Sequence, residues 1–191
     1  KLSKDQIKDL GEQYIEGTRF LRSNFPYFID KMPNNFSHVG LISLILPNAK
    51  IIDARRNPMD TCFSCYKQLF AQGQVFTYDL DDIAKYYINY VKLMDHWDKV
   101  LPNKVHRLIY EDLVTNQEEE TVKLLEFCGL KFERQCIKFY ETERAVKTAS
   151  SEQVRQPIYR QSLNFWKNYD EFLDKLKEGL SPTRERFNLV D

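Results

Sequence analysis

Apolar residues recur at helical spacing along most of this chain, and three short runs of aromatic and β-branched residues interrupt them. Ile7, Leu10, Tyr14, Ile15 and Leu21 predict an amphipathic helix over residues 4–22. Phe25-Pro26-Tyr27-Phe28-Ile29-Asp30 predicts a strand, which Lys31-Met32-Pro33-Asn34-Asn35 breaks before a Leu- and Ile-rich helix over 35–46. A second strand over 50–54 leads into a helix from about Pro58 to Phe70, and a loop follows around Gln72-Gly73-Gln74. A long helix, 80–100, opens with Asp79, Asp81 and Asp82, acids that suit a helix N-terminus. Its apolar face is Leu80, Ile83, Ala84, Tyr87, Val91, Met94 and Trp97, and Pro102-Asn103 ends it. Val105 to Tyr110 predicts a third strand, and Gln117 to Cys128 a helix closed by Gly129. A helical piece over 134–142, an irregular polar stretch over 147–157 and a helical pattern over 162–180 complete the chain, with no internal repeat or low-complexity segment.

Strands separated by helices predict an α/β fold with a mostly parallel sheet under helical cover. At 191 residues and 42% apolar composition the chain is expected to form one domain, 1–191. Three strands make a thin sheet, and Lys1 already lies inside a helical pattern, so a domain truncated at its N-terminus is expected. Basic and acidic residues balance at 28 each, which argues against nucleic acid or a membrane surface as partner while leaving room for a local basic pocket. No run approaches the roughly 18 apolar residues of a membrane span, and nothing resembles a signal peptide. Cys62 and Cys65 have C-x2-C spacing, but Cys128 and Cys136 are eight apart and only three histidines are present. A structural zinc site wants two close ligand pairs, so buried thiols in a reducing compartment, hence the cytoplasm, are expected, with no metal.

The stretch Ile51-Ile52-Asp53-Ala54-Arg55-Arg56-Asn57-Pro58-Met59-Asp60-Thr61-Cys62-Phe63-Ser64 carries the clearest chemistry. A strand ends in two arginines, Asn57 is a good N-cap, and Pro58 is pre-set for the first helical position. A helix N-terminus with free N–H groups favours an anion, and Arg grips phosphate with paired hydrogen bonds. Ser64 lies seven residues after Asn57, two helical turns along on the same face, within reach of the same anion. The stretch therefore reads as a phosphate site, the alternative being two solvated arginines beside an ordinary capped helix.

Other residues fit such a cleft. Lys31, just after a predicted strand, offers either a point charge to that cleft or a salt bridge to Asp30. Tyr110, at the end of the third strand, suits a flat ring or a half-buried core position. Glu111 and Asp112 form a possible carboxylate pair but sit where acids more often cap a helix. The segment Thr148 to Pro157, polar and carrying Arg155, is either a loop that closes over phosphates or a surface connection. His38, a conceivable base, falls in an apolar helical segment.

Taken together, four segments resemble the sulfotransferase family that uses 3′-phosphoadenosine 5′-phosphosulfate. They are similar above all to sulfotransferase domains found behind tetratricopeptide repeats in bacterial proteins, and distantly to tyrosylprotein sulfotransferases. The segments are Ile29-Asp30-Lys31-Met32-Pro33-Asn34-Asn35-Phe36, Arg56-Asn57-Pro58-Met59-Asp60 through Ser64, Tyr110-Glu111-Asp112-Leu113-Val114, and Thr148 to Pro157 with Ser162 and Trp166 beyond. The resemblance implies a three-layer, P-loop-like α/β fold and transfer of a sulfuryl group to an acceptor hydroxyl or amine. By the same resemblance Arg56 and Ser64 hold the nucleotide 3′-phosphate, and Lys31 neutralises charge on the bridging oxygen. Tyr110 contacts adenine, Ser150 or Ser151 lies near the sulfate or 5′-phosphate, and Arg155 closes the 3′-phosphate side.

The family's first strand and Gly-rich loop, Gly-x-Pro-Arg-Ser-Gly-Thr, have no counterpart among the six isolated glycines. The general base and part of the backbone cradle are expected to lie with that missing segment, leaving this chain impaired or inactive alone. A repeat domain preceding it in an intact protein is implied, and the acceptor is a peptide, a sugar or a small molecule. The rivals are a non-catalytic nucleotide-binding or scaffolding module of the same fold and a nucleotide kinase-like enzyme. The kinase reading requires magnesium and an acidic ligand at a strand end, for which Asp53 is the candidate.

Overall fold

The computed structural model describes residues 2–22, 25–70, 73–142, 153–158 and 160–184. The chain divides into two compact units, Lys1–Ile51 with Leu93–Val105, and Ile52–Lys92 with His106–Asp191.

The first unit is built on two helices, α1 (Lys4–Gly17) and α2 (Val39–Ile45), with the last turns of α4 (Leu80–Val100). Helix α1 starts at a capping box: the Ser3 hydroxyl accepts the Gln6 N–H, and the Gln6 side chain accepts the Ser3 N–H. Helices α1 and α2 approach so closely at Gly11 that an added Cβ would stand 2.1 Å from the Ile45 carbonyl oxygen. Only glycine tolerates that approach. The six-residue 3-10 helix Pro33–His38 leads into α2, and the Trp97 indole N–H donates to the Phe36 carbonyl at 3.0 Å.

Residues 25–32, expected to hold a strand over 25–30, are extended but unpaired, with Phe25, Tyr27 and Ile29 exposed. The aromatic run has strand propensity, but a strand exists only with a hydrogen-bonded neighbour, and none lies beside it among the described residues. The helix expected over 35–46 is 3-10 in its first turn for a related reason: Pro33 opens the segment, and regular α geometry begins only at Val39.

The second unit carries the sheet, apart from the first residue of each strand. Strands β1 (Ile51–Arg55) and β2 (Val105–Ile109) form a parallel pair, the small α/β sheet expected but with two strands among the described residues where three were predicted. A parallel neighbour requires a long crossover, and α3 (Pro58–Tyr66) and the 21-residue α4 lie in it. After β2 come α5 (Tyr110–Thr115) and α6 (Gln117–Cys128), and the last helix is α7 (Asp174–Arg184). The core joins Met59, Cys62 and Phe63 of α3 with Ile83, Ala84, Tyr87 and Val91 of α4 and with Leu173, Leu176 and Leu180. A Cβ at Gly179 would meet the Ala84 Cβ at 2.7 Å, so α7 lies as close to α4 as glycine permits.

Four further segments depart from the periodicity. Helix α1, expected to reach residue 22, ends at Gly17, and the helical piece expected over 134–142 is two short 3-10 turns, Arg134–Cys136 and Phe139–Glu141. Helix α3 ends at Tyr66 instead of Phe70. The segment expected to be one helix over 162–180 is a turn, a 3-10 stretch Phe165–Phe172 with Tyr169 outside helical geometry, and then α7. No described helix is long and apolar enough to cross a membrane.

Candidate functional site

Alternation along β1 sends neighbouring arginines to different fates. Asp53 and Arg55 share its buried face, and their side chains meet with Arg55 Nη2 2.7 Å from Asp53 Oδ2. Arg55 Nε donates to the Tyr90 hydroxyl at 3.0 Å, Tyr90 donates to Asp53 Oδ1, and Arg107 Nε donates to Asp53 Oδ2 at 3.3 Å. Burial, with Asp53 adding to it, pushes the Tyr90 hydroxyl far above the ordinary phenol range. Tyr90 therefore stays a neutral donor. Asp53, the acid on which a magnesium-dependent kinase reading relied, is already engaged by two arginines and a tyrosine.

Arg56, one residue on, lines a cavity of about 610 Å³. Ser64, Lys67, Tyr110, Ser162 and Phe165 line it too, all from the second unit. The guanidinium stands 5.3 Å from the Tyr110 ring centroid, a cation–π distance. Its Nη2 donates to the Ser162 carbonyl and lies 3.7 Å from Asp60 Oδ1, while its Nε is buried with no partner among the described residues. The Tyr110 and Ser162 hydroxyls share a hydrogen bond at 3.0 Å. The positive charge of Arg56 is felt at Cys65, whose thiol burial raises and Arg56 lowers. Lys67 stands one turn beyond Ser64, its ammonium 4.0 Å from the Phe165 ring centroid. The lining thus holds three cations, of which Arg55 is paired with Asp53, and three aromatic rings, Phe63, Tyr110 and Phe165, beside Ser64, whose hydroxyl has no protein partner among the described residues.

One element of the expected anion site is different. The first turn of α3 does not present free N–H groups. Pro58 has none, and the Asn57 side chain accepts those of Met59 at 2.9 Å and Asp60 at 3.3 Å. Glu111 takes the Asn57 N–H at 2.9 Å, so this acid ties α5 to the β1–α3 junction. The groups in the cavity suited to an anion are therefore the side chains of Arg56, Ser64 and Lys67, and not the helix terminus.

Arg56, Ser64 and Tyr110 are brought together as the sequence suggested, although Tyr110 opens α5 where a strand end was expected. Arg155 lies in the 3-10 turn Gln153–Arg155, exposed, with its guanidinium donating to the Thr142 carbonyl. Ser150 and Ser151 lie outside the described residues. Lys31 belongs to the first unit, exposed on the extended segment, next to Asp30, which accepts the Tyr14 hydroxyl at 2.5 Å. Burial and then that carboxylate push the Tyr14 hydroxyl up to about 12. His38 is exposed at the end of its 3-10 helix. Sequence reasoning missed Asp60 and Lys67. Asp60, Ser64 and Lys67 recur at helical spacing on one face of α3, which is the signal that places them in one cavity.

Comparison with known proteins bears on the whole. The family model described as Sulfotransferase family matches residues 3–134. A protein of Aquifex aeolicus (strain VF5), described as uncharacterized, is 40% identical over 177 residues, which is 91% of this chain and 23% of that protein. The chain thus spans about a quarter of the length of the curated relative it matches.

Proposed function

The chain belongs to the sulfotransferase family, and we propose that its cavity holds the 3′-phosphate end of 3′-phosphoadenosine 5′-phosphosulfate. Arg56 and Ser64 grip the 3′-phosphate, and Tyr110 lies against the adenine. The observation that carries this reading is Arg56 lining one cavity with Ser64, the buried Arg56 Nε and the Ser64 hydroxyl both lacking a protein partner among the described residues. A buried N–H of a charged group left without an acceptor costs free energy, and a phosphate oxygen is the acceptor it suits best. Lys67 adds a second positive charge beside the site.

Within a longer protein, sulfuryl transfer follows as an in-line displacement onto an acceptor hydroxyl or amine. Such a step depends on positioning and on neutralising charge spread over oxygens, as phosphoryl transfer does. By the family resemblance Lys31 is assigned to that charge at the bridging oxygen, and Arg155 with Ser150 or Ser151 to nucleotide binding. The acceptor, a peptide, sugar or small molecule, meets this centre in the intact protein.

A calorimetric titration with adenosine 3′,5′-bisphosphate, with AMP as the control, tests the reading. The bisphosphate binds the chain and AMP binds much more weakly. Arg56→Ala weakens the bisphosphate by more than about tenfold, equivalent to roughly 1.4 kcal/mol, and changes AMP little. Equal weakening of both nucleotides removes Arg56 from the 3′-phosphate. In the longer protein the companion change Lys31→Ala lowers turnover far more than nucleotide affinity.

A further inference from the structure

Asp60 is out of place in an anion pocket. Its carboxylate is buried, at 3% exposure, on the helix face that carries Ser64 and Lys67 and within 4 Å of the Arg56 guanidinium. By Coulomb's law alone it opposes a phosphate there. The contacts it makes give it another task. Asp60 Oδ2 accepts the backbone N–H of Asn164 at 2.8 Å, and Oδ1 accepts that of Trp166 at 3.3 Å, from a segment more than 100 residues along the chain. Asn164 adopts a left-handed φ of 56°, a conformation that asparagine tolerates better than most residues. That turn ends at Ser162, whose carbonyl takes the Arg56 Nη2–H and whose hydroxyl meets Tyr110.

We propose that Asp60 is a positioning residue of the nucleotide site: its carboxylate pins the 162–166 segment through two backbone N–H groups, and so sets Ser162 against Arg56 and Tyr110. The proposal rests on the reading of this cavity as a 3′-phosphate site. With Nη2 committed to Ser162, the guanidinium is fixed in plane and its Nε edge is left for the ligand. Asp60 acts on the phosphate only through this segment. A buried carboxylate whose cost is offset by two N–H bonds and one nearby guanidinium is well suited to such a hold.

The sign of one measurement separates this role from that of a simple counter-charge. If Asp60 only tempers the charge of Arg56, removing its own charge tightens bisphosphate binding. If it positions Ser162, removing or moving its oxygens weakens binding. Asp60→Asn keeps one acceptor oxygen and loses the charge, whereas Asp60→Glu keeps the charge and shifts the oxygens by one methylene. Both are expected to weaken adenosine 3′,5′-bisphosphate by about tenfold and to narrow its preference over AMP. Both are also expected to speed hydrogen exchange at the Asn164 and Trp166 amides in the ligand-free protein.

Ser162→Ala, which leaves Asp60, its two N–H bonds and the Ser162 carbonyl in place and removes only the hydroxyl bond to Tyr110, is expected to weaken the bisphosphate less than the Asp60 variants do, without altering exchange at those amides. The double variant Asp60→Asn/Ser162→Ala should lose little more than Asp60→Asn alone, since Asp60 acts through Ser162. Tighter or unchanged binding in Asp60→Asn, or wild-type affinity in Asp60→Glu, overturns the proposal. Should the Asp60 variants fail to fold, exchange at the Asn164 and Trp166 amides of the wild-type protein still decides it: amides that exchange as fast as in an open chain mean that Asp60 does not hold the segment. A wild-type protein that does not prefer the bisphosphate over AMP sinks the nucleotide reading instead, and that failure is recognisable before any variant is made.

Discussion

Arg55 and Arg56 are neighbours of identical chemistry, and the period of the strand assigns them opposite work. Arg55 is 3% exposed and bonded to Asp53 and Tyr90, whereas Arg56 stands past the strand end with its Nε–H unpaired among the described residues. Arg55→Ala therefore removes one partner from a buried charge, and loss of one member of such a pair costs about 3–5 kcal/mol. Arg107 and Tyr90 remain on Asp53 and hold the cost toward the lower end. Urea denaturation is expected to show a large drop in midpoint for Arg55→Ala and a small one for Arg56→Ala, with nucleotide affinity moving in the reverse order. Equal loss of stability in the two variants removes the division of labour. From sequence the two arginines were equivalent; Asp53, two residues before Arg55, is the local signal that marks the buried one.

At the scale of elements, α3 is the part on which the site depends, and its start is set by local rules. Asn57 satisfies two N–H groups of the first turn and Pro58 supplies a pre-set φ. Asn57→Ala is expected to destabilise the protein by about 1 kcal/mol, and Asn57→Asp or Asn57→Ser much less, as read by thermal unfolding. Loss of the cap is not expected to improve anion binding, because the residues proposed to hold the phosphate, Arg56 and Ser64, would act through their side chains and not through the first-turn N–H groups. A gain in bisphosphate affinity in Asn57→Ala would return the helix terminus to the site.

Strands β1 and β2 and helices α3, α4 and α6 were legible because each has its own period, cap or closing residue, such as Asn57 before α3 and Gly129 after α6. Residues 25–30 and 162–180 were misread because their conformation is decided elsewhere. A strand needs a neighbour that local sequence does not name. The 162–166 turn is held by Asp60, about a hundred residues away, which takes N–H groups that a helix would have used within itself. The candidate site shows the same division. Arg56, Ser64 and Tyr110 stand out by residue type beside strand ends, whereas Asp60 and Ser162 matter through backbone contacts that no motif records.

For the whole molecule, a formal charge of zero means that ligand attraction is local, and the stabilisation a ligand brings enters where it binds. Every residue lining the cavity belongs to the second unit, and the first unit shares with it the continuous helix α4. A ligand at about 100 times its dissociation constant adds roughly 2.7 kcal/mol to any opening that destroys its site. Amides of β1, α3, β2 and α5 are therefore expected to gain protection up to that limit with saturating adenosine 3′,5′-bisphosphate. Amides of α1 and α2 open without disturbing the cavity wherever local opening in the first unit costs less than global unfolding, so their expected gain is smaller. Native-state hydrogen exchange with and without the bisphosphate measures both at once. An equal gain in α1 and α2 would mean that the two units open only together, and α4, which runs through both, is the element that would couple them.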